Sequence, residues 1–569
     1  MIEKLEEYQR GKIPLPSNYH LWPLYGASLE NMGVDGKPIS VPLPQYGPDE
    51  LLIRHDACGL CFSDTKVIAQ GQVHPRIQRD MRKEPVVLGH EISGTIVGVG
   101  ENLRGQYQVG QRFTLETDIV YKSVPMAYGY LIQGGLSQYS VIDKRILESD
   151  YGNCLIPVSP ERSYADVALA EPWACVVAAY RLEYRTKIKP GGTLWIIGAG
   201  GLKHYTISAG FDAASHPARL LLTNVGGKFV NWLKSRAGKL GVEVVEVNDV
   251  ENPPVEQVDD IVLLGADPDL VEKVSPHLAY LAILALVSDA PMPRKVSVDV
   301  GRVHYNRWVY VGGTSGDIAQ AYTQPQVHSA LRKGGKTWFI GAGGPMGRMH
   351  VQRAVQFADP PATIICTDVS DLRLDDLCNT LGIEARQRGI EFICLNPTNK
   401  EQYQAGMDRF REEGFDDIVV LVPSPAIISD AAIWLGPKGV MNVFAGVARG
   451  TMAFLDLNDV YLKGVRVIGH SGSVMADMQV VIEKTERGEL APIRSVAAIG
   501  SLNAARDGMQ AIMDASFLGK ILIYPNIKEF PLTPLLELKD KLPGVYARLR
   551  DGREWTKEAE EEFLHLMLP

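Results

Sequence analysis

The chain runs twice through one order of elements, and that repetition limits what it can fold into. Apolar runs LWIIG (194–198), RLLLTN (219–224), VEVVEVN (242–248), DIVLLG (260–265), AILALV (282–287) and WVYVGG (308–313) alternate with stretches of helical pattern. The series restarts at TWFIGAG (337–343) and continues through TIICTD (363–368), EFICLN (391–396), DIVVLV (417–422), VMNVFAG (440–446) and VRVIGHS (465–471). Short continuous apolar runs separated by helix-length segments read as buried parallel strands with helical connections. Each series therefore predicts a doubly wound parallel α/β sheet. A glycine-rich loop follows the first strand of each series, and DDIV recurs at 259 and 416. The shared order points to a tandem duplication rather than to two unrelated α/β domains.

Before the first series the pattern is β-rich from about 40 to 160. VPLPQYGPDELLIRHDACGLC alternates apolar and polar residues between turn signals, and EPVVLGHEISGTIVGVG is a β run broken by glycines. We expect a β-rich catalytic domain over 1–184, a first Rossmann unit over 185–328 and a second over 329–472. The remainder, 473–569, returns to the β-rich domain and ends in a helical tail rich in Glu, Lys and Leu.

Composition narrows the function. The net charge of −9 argues against a nucleic-acid partner, which would require a basic face. No apolar run reaches the roughly 18 residues of a membrane span, and the N-terminal MIEKLEEYQRGKIPLPSNYH lacks a signal-peptide apolar core. Seven scattered cysteines do not make a disulfide framework. The expectation is a cytoplasmic protein with reduced thiols.

A dinucleotide loop needs glycine for a tight turn, for close backbone approach to the pyrophosphate and for helix–strand packing. The second loop offers Gly341, Gly343, Gly344, Pro345, Met346 and Gly347, and the next strand ends at Asp368, placed to accept from the ribose hydroxyls. The first loop has Gly198, Gly200 and Gly201, but Lys203 and His204 occupy the region where Gly347 stands, and its next strand ends in Thr223 and Asn224 without an acid. The second unit thus reads as nucleotide-binding and the first as a degenerate copy. The reverse assignment and double occupancy stay open. Asp368 favours NAD over NADP, because a carboxylate repels a 2′-phosphate.

Three stretches carry metal-ligand types. CGLCFSD holds Cys58 and Cys61, GHE holds His90 and Glu91, and AEPW holds Glu171. A thiolate, an imidazole and a carboxylate make a catalytic zinc set with one position left for water or substrate. On spacing alone, Cys58 and Cys61 also fit a redox pair, and GHE also fits a core histidine.

CGLCFSD, then PVVLGHEISGTIVGVGENLRGQYQVGQRF, then AEPWACVVAAYR, then a glycine loop, resembles the zinc-dependent medium-chain dehydrogenase/reductase family, whose β-rich catalytic domain is GroES-like. The Glu-Pro of AEPW is similar to its polyol branch, that of sorbitol dehydrogenase and sorbose-1-phosphate reductase. The resemblance implies Cys61 and His90 as zinc ligands. It leaves Glu91 and Glu171 as the carboxylate candidates, direct or through water. It also implies Ser63 as a proton-relay hydroxyl, Asp64 as the acceptor orienting His90, and a structural role for Cys58. Residues 92–153 contain no cysteine, so the second, structural zinc of many members is not expected. The implied reaction is hydride transfer between a polyol, sugar or sugar-phosphate hydroxyl and a nicotinamide. The family's oligomerisation through its sheets implies a homo-oligomer, or an extra unit acting as an internal partner.

The segment TKVIAQGQVHPRIQRDMRKEP carries Lys66, His74, Arg76, Arg79, Arg82 and Lys83 between two ligand segments. It suits a substrate phosphate or a solvated loop, so polyol and polyol phosphate both stand. Two other classes remain beside this reading, a zinc-free quinone-type reductase and a non-catalytic nucleotide-sensing or scaffold protein. The Cys61, His90 and Glu171 set argues against both.

Overall fold

A computed structural model provides the structure, which describes residues 2–202, 204–323 and 330–569. The chain divides into two units. One comprises Met1–Val177, Gly344–Met349 and Ser473–Pro569, and the other Ala178–Gly343 and His350–Gly472. Both duplicated sheets fall within the second unit. Among the described residues no helix is long and apolar enough to cross a membrane.

The first unit is built on an eight-stranded sheet. Its order is Leu155–Val158, Arg112–Leu115, Glu91–Val99, Leu51–Gly59, Lys520–Tyr524, Val496–Ser501 and Thr533–Pro534, with Tyr139–Ile142 also paired to Leu51–Gly59. The C-terminal region thus returns to supply strands beside the early ones. Leu51–Gly59 is buried at every position, so its polar side chains need internal partners. Arg54 Nε lies 2.7 Å from Asp56 Oδ1, and the His55 ring sits between Ser137 O at 2.8 Å and the Tyr128 hydroxyl at 2.7 Å. The tail is helical over Leu538–Lys541, Pro543–Tyr546 and Lys557–Met567. Its Glu560 carboxylate accepts from the backbone N–H groups of Tyr164 and Ala165, at 2.6 and 2.8 Å.

The second unit holds two six-stranded parallel sheets of identical order. The first runs Glu243–Glu246, Arg219–Thr223, Thr193–Gly198, Val258–Leu264, Leu278–Val287 and Val309–Gly313. The second runs Glu391–Leu395, Thr363–Thr367, Lys336–Ile340, Phe415–Val420, Leu435–Val443 and Arg466–Ile468. This is the strand order of a dinucleotide-binding fold. The likeness extends to single bonds. Trp195 donates its indole N–H to Thr223 Oγ1 at 3.0 Å, and Trp338 does the same to Thr367 Oγ1 at 3.0 Å. Asp259 accepts from Thr193 N at 2.9 Å and Asp416 from Lys336 N at 2.8 Å. Asp260 and Asp417 accept from Lys189 N and Arg332 N, at 2.9 and 2.8 Å. Register shifts fall at the same place, between Val258 and Asp260 and between Phe415 and Asp417. Two unrelated sheets would not reproduce these details.

The repeats are joined to each other. Val296–Asp299 pairs antiparallel with Met452–Leu455. Asn458 Oδ1 accepts from Met292 N at 2.6 Å, and Tyr461 donates its hydroxyl to Ala290 O at 2.7 Å. One apolar core includes Leu284 and Tyr310 of the first repeat with Met441 and Val467 of the second.

One expectation fails in the first repeat. A helical connection was expected after every strand, but among the described residues none forms between Glu246 and Val258, nor in the longer segment between Gly198 and Arg219. The segment instead crosses to residues 316–317. Thr206 N donates to Gly316 O at 2.8 Å, and Ser208 N donates to Asp317 Oδ1 at 2.9 Å. Its text, HYTISAGFDAASHP, mixes β-branched, glycine and proline residues, which are poor helix formers.

Candidate active site

Cys61 ends the loop after Leu51–Gly59 and caps the helix Phe62–Gln70, which carries Ser63 and Asp64. His90 and Glu91 stand at the start of Glu91–Val99, the strand paired beside Leu51–Gly59. Neighbouring strand ends thus bring together residues nearly thirty positions apart. The glycine of GHE is required there. Gly89 has φ +98, and a Cβ on it would lie 2.7 Å from Cys58 Sγ and 2.9 Å from Leu136 N.

Ligand atoms of Cys61, His90 and Glu91 lie within 4.8 Å of one another. The Ser63 hydroxyl is 3.0 Å from Cys61 Sγ and 3.3 Å from His90 Nε2. Asp64 Oδ1 lies 3.1 Å from His90 Nδ1, which turns Nε2 toward the group. Burial disfavours charge on His90, but Asp64 and the Cys61 sulfur outweigh it and raise its pKa well above the ordinary value. The donor types suit a borderline-soft divalent cation. Glu91 Oε2 is buried without a hydrogen-bond partner, which suits a carboxylate oxygen that ligates a cation. Cys58, in contrast, stands outside the group, and burial pushes its thiol up.

Sequence reasoning missed Lys520. Its ammonium lies 2.5 Å from Glu91 Oε1 and donates to Leu60 O at 2.7 Å. The only signal was a lysine opening the apolar run KILIY. Glu171, on helix Ala170–Ala178, does not join the 4.8 Å grouping. Burial pushes its carboxyl up to about 7, with His90 pulling down and Glu91 pushing up. It senses the group's charges without touching all three ligands. Tyr130, also unforeseen, places its ring 6.1 Å from His90.

The basic stretch is tied mainly to residues 118–131. Arg76 pairs with Asp118 and lies over the Tyr130 ring at 5.1 Å, Arg79 donates to Leu131 O, and Lys83 is 3.8 Å from Asp80.

The two glycine loops differ in build. In the second, Gly341 has φ +80 and donates to Thr367 O at 2.8 Å. Helix Pro345–Gln356 starts directly after Gly344 and contains Met346 and Gly347, with proline at its tolerated first position. Gly343 N donates to Asp368 Oδ2 at 3.0 Å, and Asp368 Oδ1 accepts from Ser370 N at 3.1 Å. A Cβ on Gly343 would meet Arg373 Cβ at 2.4 Å and Asp368 Oδ2 at 2.9 Å. Among the described residues no helix follows the first loop, and with it go the N-terminal N–H groups that receive a pyrophosphate. The Tyr205 hydroxyl fills the space beside Gly201, within 2.5 Å of where its Cβ would stand. Lys203, expected to obstruct this loop, lies outside the described residues.

Residues 47–149 match the family model of the alcohol dehydrogenase GroES-like domain. The chain is 30% identical over 533 residues to the uncharacterized protein YggP of Escherichia coli K12, covering 92% of each. It is 29% identical over 497 residues to a mannitol-1-phosphate 5-dehydrogenase of Aliivibrio fischeri, covering 87% of this chain and 84% of that one. To an L-sorbose 1-phosphate reductase of Klebsiella pneumoniae it is 22% identical over 526 residues, 92% and 93% of the two chains. In fold it is similar to the solved 2R,3R-butanediol dehydrogenase of Bacillus subtilis. That match has a TM-score of 0.52 at 15% identity, over 89% of this chain and 100% of that one.

Proposed function

The chain belongs to the zinc-type medium-chain dehydrogenase/reductase family, on its polyol branch, and from that premise we propose that it transfers a hydride between a polyol or sugar-phosphate carbon and NAD. One zinc ion would be held by Cys61 and His90 with Glu91, and with Glu171 directly or through water. The observation that carries this reading is the 4.8 Å grouping of thiol, imidazole and carboxylate, with a buried carboxylate oxygen lacking a partner.

Bound there, zinc would supply Lewis-acid polarisation of the substrate oxygen. The chain's own residues do the rest. Ser63 Oγ, part-exposed beside two ligands, takes the substrate hydroxyl proton while passing its own to solvent. Asp64 holds the His90 ring in one orientation. Lys520 balances the Glu91 charge and fixes one of its oxygens, leaving the other for the metal. For the nucleotide, the Gly341–Gly347 loop takes the pyrophosphate and Asp368 the adenosine ribose, while the helix-free first loop takes none. The first repeat instead serves as an internal partner to the second, through the strands and core they share. Polyol phosphates are the favoured substrates, since two relatives matched over most of their length carry phosphate in their names.

Purified protein should reduce NAD with at least one polyol, sugar phosphate or secondary alcohol, read as absorbance of the reduced nicotinamide. Activity should fall on chelation and return with zinc. Full turnover in metal-free protein would overturn the zinc assignment, and a zinc-loaded protein inert to the whole panel would overturn the reaction.

A further inference from the structure

Three of the seven cysteines lie together at one edge of the second sheet, and the proposed function uses none of them. Cys366 and Cys394 are register partners on neighbouring parallel strands, so their side chains leave the sheet on the same face. Cys378 lies on helix Asp371–Asn379, which packs on the strand carrying Cys394. The Cys394 thiol and the Arg386 side chain are the neighbours that hold the Cys378 thiol down. Arg386 also donates to Cys378 O at 3.0 Å, which holds the guanidinium in place. Cys366 is buried, while Cys378 and Cys394 are part-exposed.

A part-exposed thiol beside a guanidinium is the environment of a reactive cysteine, and here the Arg386 charge is set against that of Asp375. The hydrogen bond from Cys394, with Arg386 beside it, lowers Cys378 to about 7. The same bond and burial raise Cys394, which remains a neutral thiol and the donor. An attacking thiolate with a second thiol beside it, on an element packed against its own, is the arrangement in which a first oxidation product is captured as a disulfide. Cys154 and Cys58 are buried and raised and have no such partner.

We propose that Cys378 and Cys394 form a peroxide-oxidisable dithiol, in which Cys378 attacks and Cys394 resolves. The Cys378 thiolate attacks one oxygen of a hydroperoxide. The O–O bond breaks, the leaving oxygen departs with a proton as water or an alcohol, and Cys378 becomes a sulfenic acid. The Cys394 sulfur then attacks the Cys378 sulfur, the S–O bond breaks, and water leaves with the Cys394 proton. The two sulfurs together give up two electrons, and the peroxide takes them. The disulfide ties the far end of helix Asp371–Asn379 to the edge strand. The near end of that helix follows Asp368 and its Ser370 cap. The proposal does not depend on which loop carries the nucleotide.

The test treats the full-length protein with hydrogen peroxide near stoichiometry, then alkylates it and maps tryptic peptides without reductant. Arg386 and Arg388 separate the two cysteines into different peptides. We expect the Cys378 and Cys394 peptides joined, two hydrogens lighter than their sum. Cys394→Ser should leave a dimedone-reactive sulfenic acid on Cys378, and Cys378→Ser should leave Cys394 reduced. At pH 7, iodoacetamide should modify Cys378 roughly 3- to 5-fold faster than an unperturbed exposed thiol, the greater thiolate fraction being partly offset by lower nucleophilicity. The proposal falls if the linked peptides are absent while other thiols oxidise. It also falls if wild type accumulates the sulfenic acid as Cys394→Ser does.

Discussion

Lys520 Nζ lies 2.5 Å from Glu91 Oε1, with both side chains buried and 429 positions apart in sequence. Such a pair is not a large net source of stability, because both charges lose their hydration. Removing one partner is a different matter, since it strands the other charge in the interior, typically at about 3–5 kcal/mol. Lys520→Met should therefore lower the unfolding free energy of metal-free protein by about that much in urea. Adding Glu91→Gln should recover most of the loss. If the double variant is as unstable as the single one, Lys520 acts through packing and not through charge.

Cys61→Ser should remove bound metal and activity together, while circular dichroism and the unfolding midpoint of the metal-free protein stay near wild type. Serine conserves the shape but is a poor zinc ligand. Elemental analysis is the readout, and wild-type zinc content in this variant would remove Cys61 from the site.

Ser63→Ala isolates proton movement. The hydroxyl touches both Cys61 and His90 yet is not needed to hold a metal. Turnover should fall by roughly 10²–10⁴-fold, the usual range for general acid–base assistance, with metal content and NAD affinity unchanged. Unaltered turnover would show that the proton leaves by another route.

The duplicated sheets were legible because buried parallel strands are written as continuous apolar runs, and both series kept theirs. The Cys61, His90 and Glu91 group was legible because GHE and CGLCFSD are short and specific. Lys520 was not, because its partner is remote and nothing local marks a lysine as buried. The missing helix after Gly198 was not legible either. A glycine loop after a strand announces a helix, whereas the contacts that divert 204–208 toward Gly316 and Asp317 are long-range. Glu171 lay between these cases. Its motif drew notice, but only the fold sets its carboxylate outside the tight group.

Asp417 gives a pH signature for the second repeat. It is 3% exposed, and burial pushes it up to about 7, against a pull from the Arg332 N–H and guanidinium. An acid whose folded pKa is raised contributes stability that is complete below its unfolded value, 3.8, and lost as pH rises through about 7. The loss amounts to about 4 kcal/mol at most. Asp417→Asn does not titrate and can still accept from Arg332 N. Its unfolding free energy relative to wild type should therefore improve between pH 4 and pH 8, by up to about 4 kcal/mol. A difference that is flat across this range would mean Asp417 stays ionised in the fold.

The two loops can be separated by substitutions matched to their backbones. Gly343→Ala places a Cβ against Arg373 Cβ and Asp368 Oδ2, at the turn proposed to receive the pyrophosphate. The clash displaces the loop and the acid together, so NAD binding should be lost in calorimetric titration. Asp368→Asn keeps an acceptor for the backbone N–H groups of Gly343 and Ser370 and removes the charge, so affinity should weaken by only about 1.5–3 kcal/mol. The matching position in the first repeat is Asn224, which follows Thr223 as Asp368 follows Thr367 and has φ +52. Glycine tolerates that conformation, so Asn224→Gly probes the side chain without straining the chain. NAD affinity should be unchanged. If Asn224→Gly weakens binding while Gly343→Ala does not, the nucleotide sits on the first repeat and the assignment of the two units is reversed.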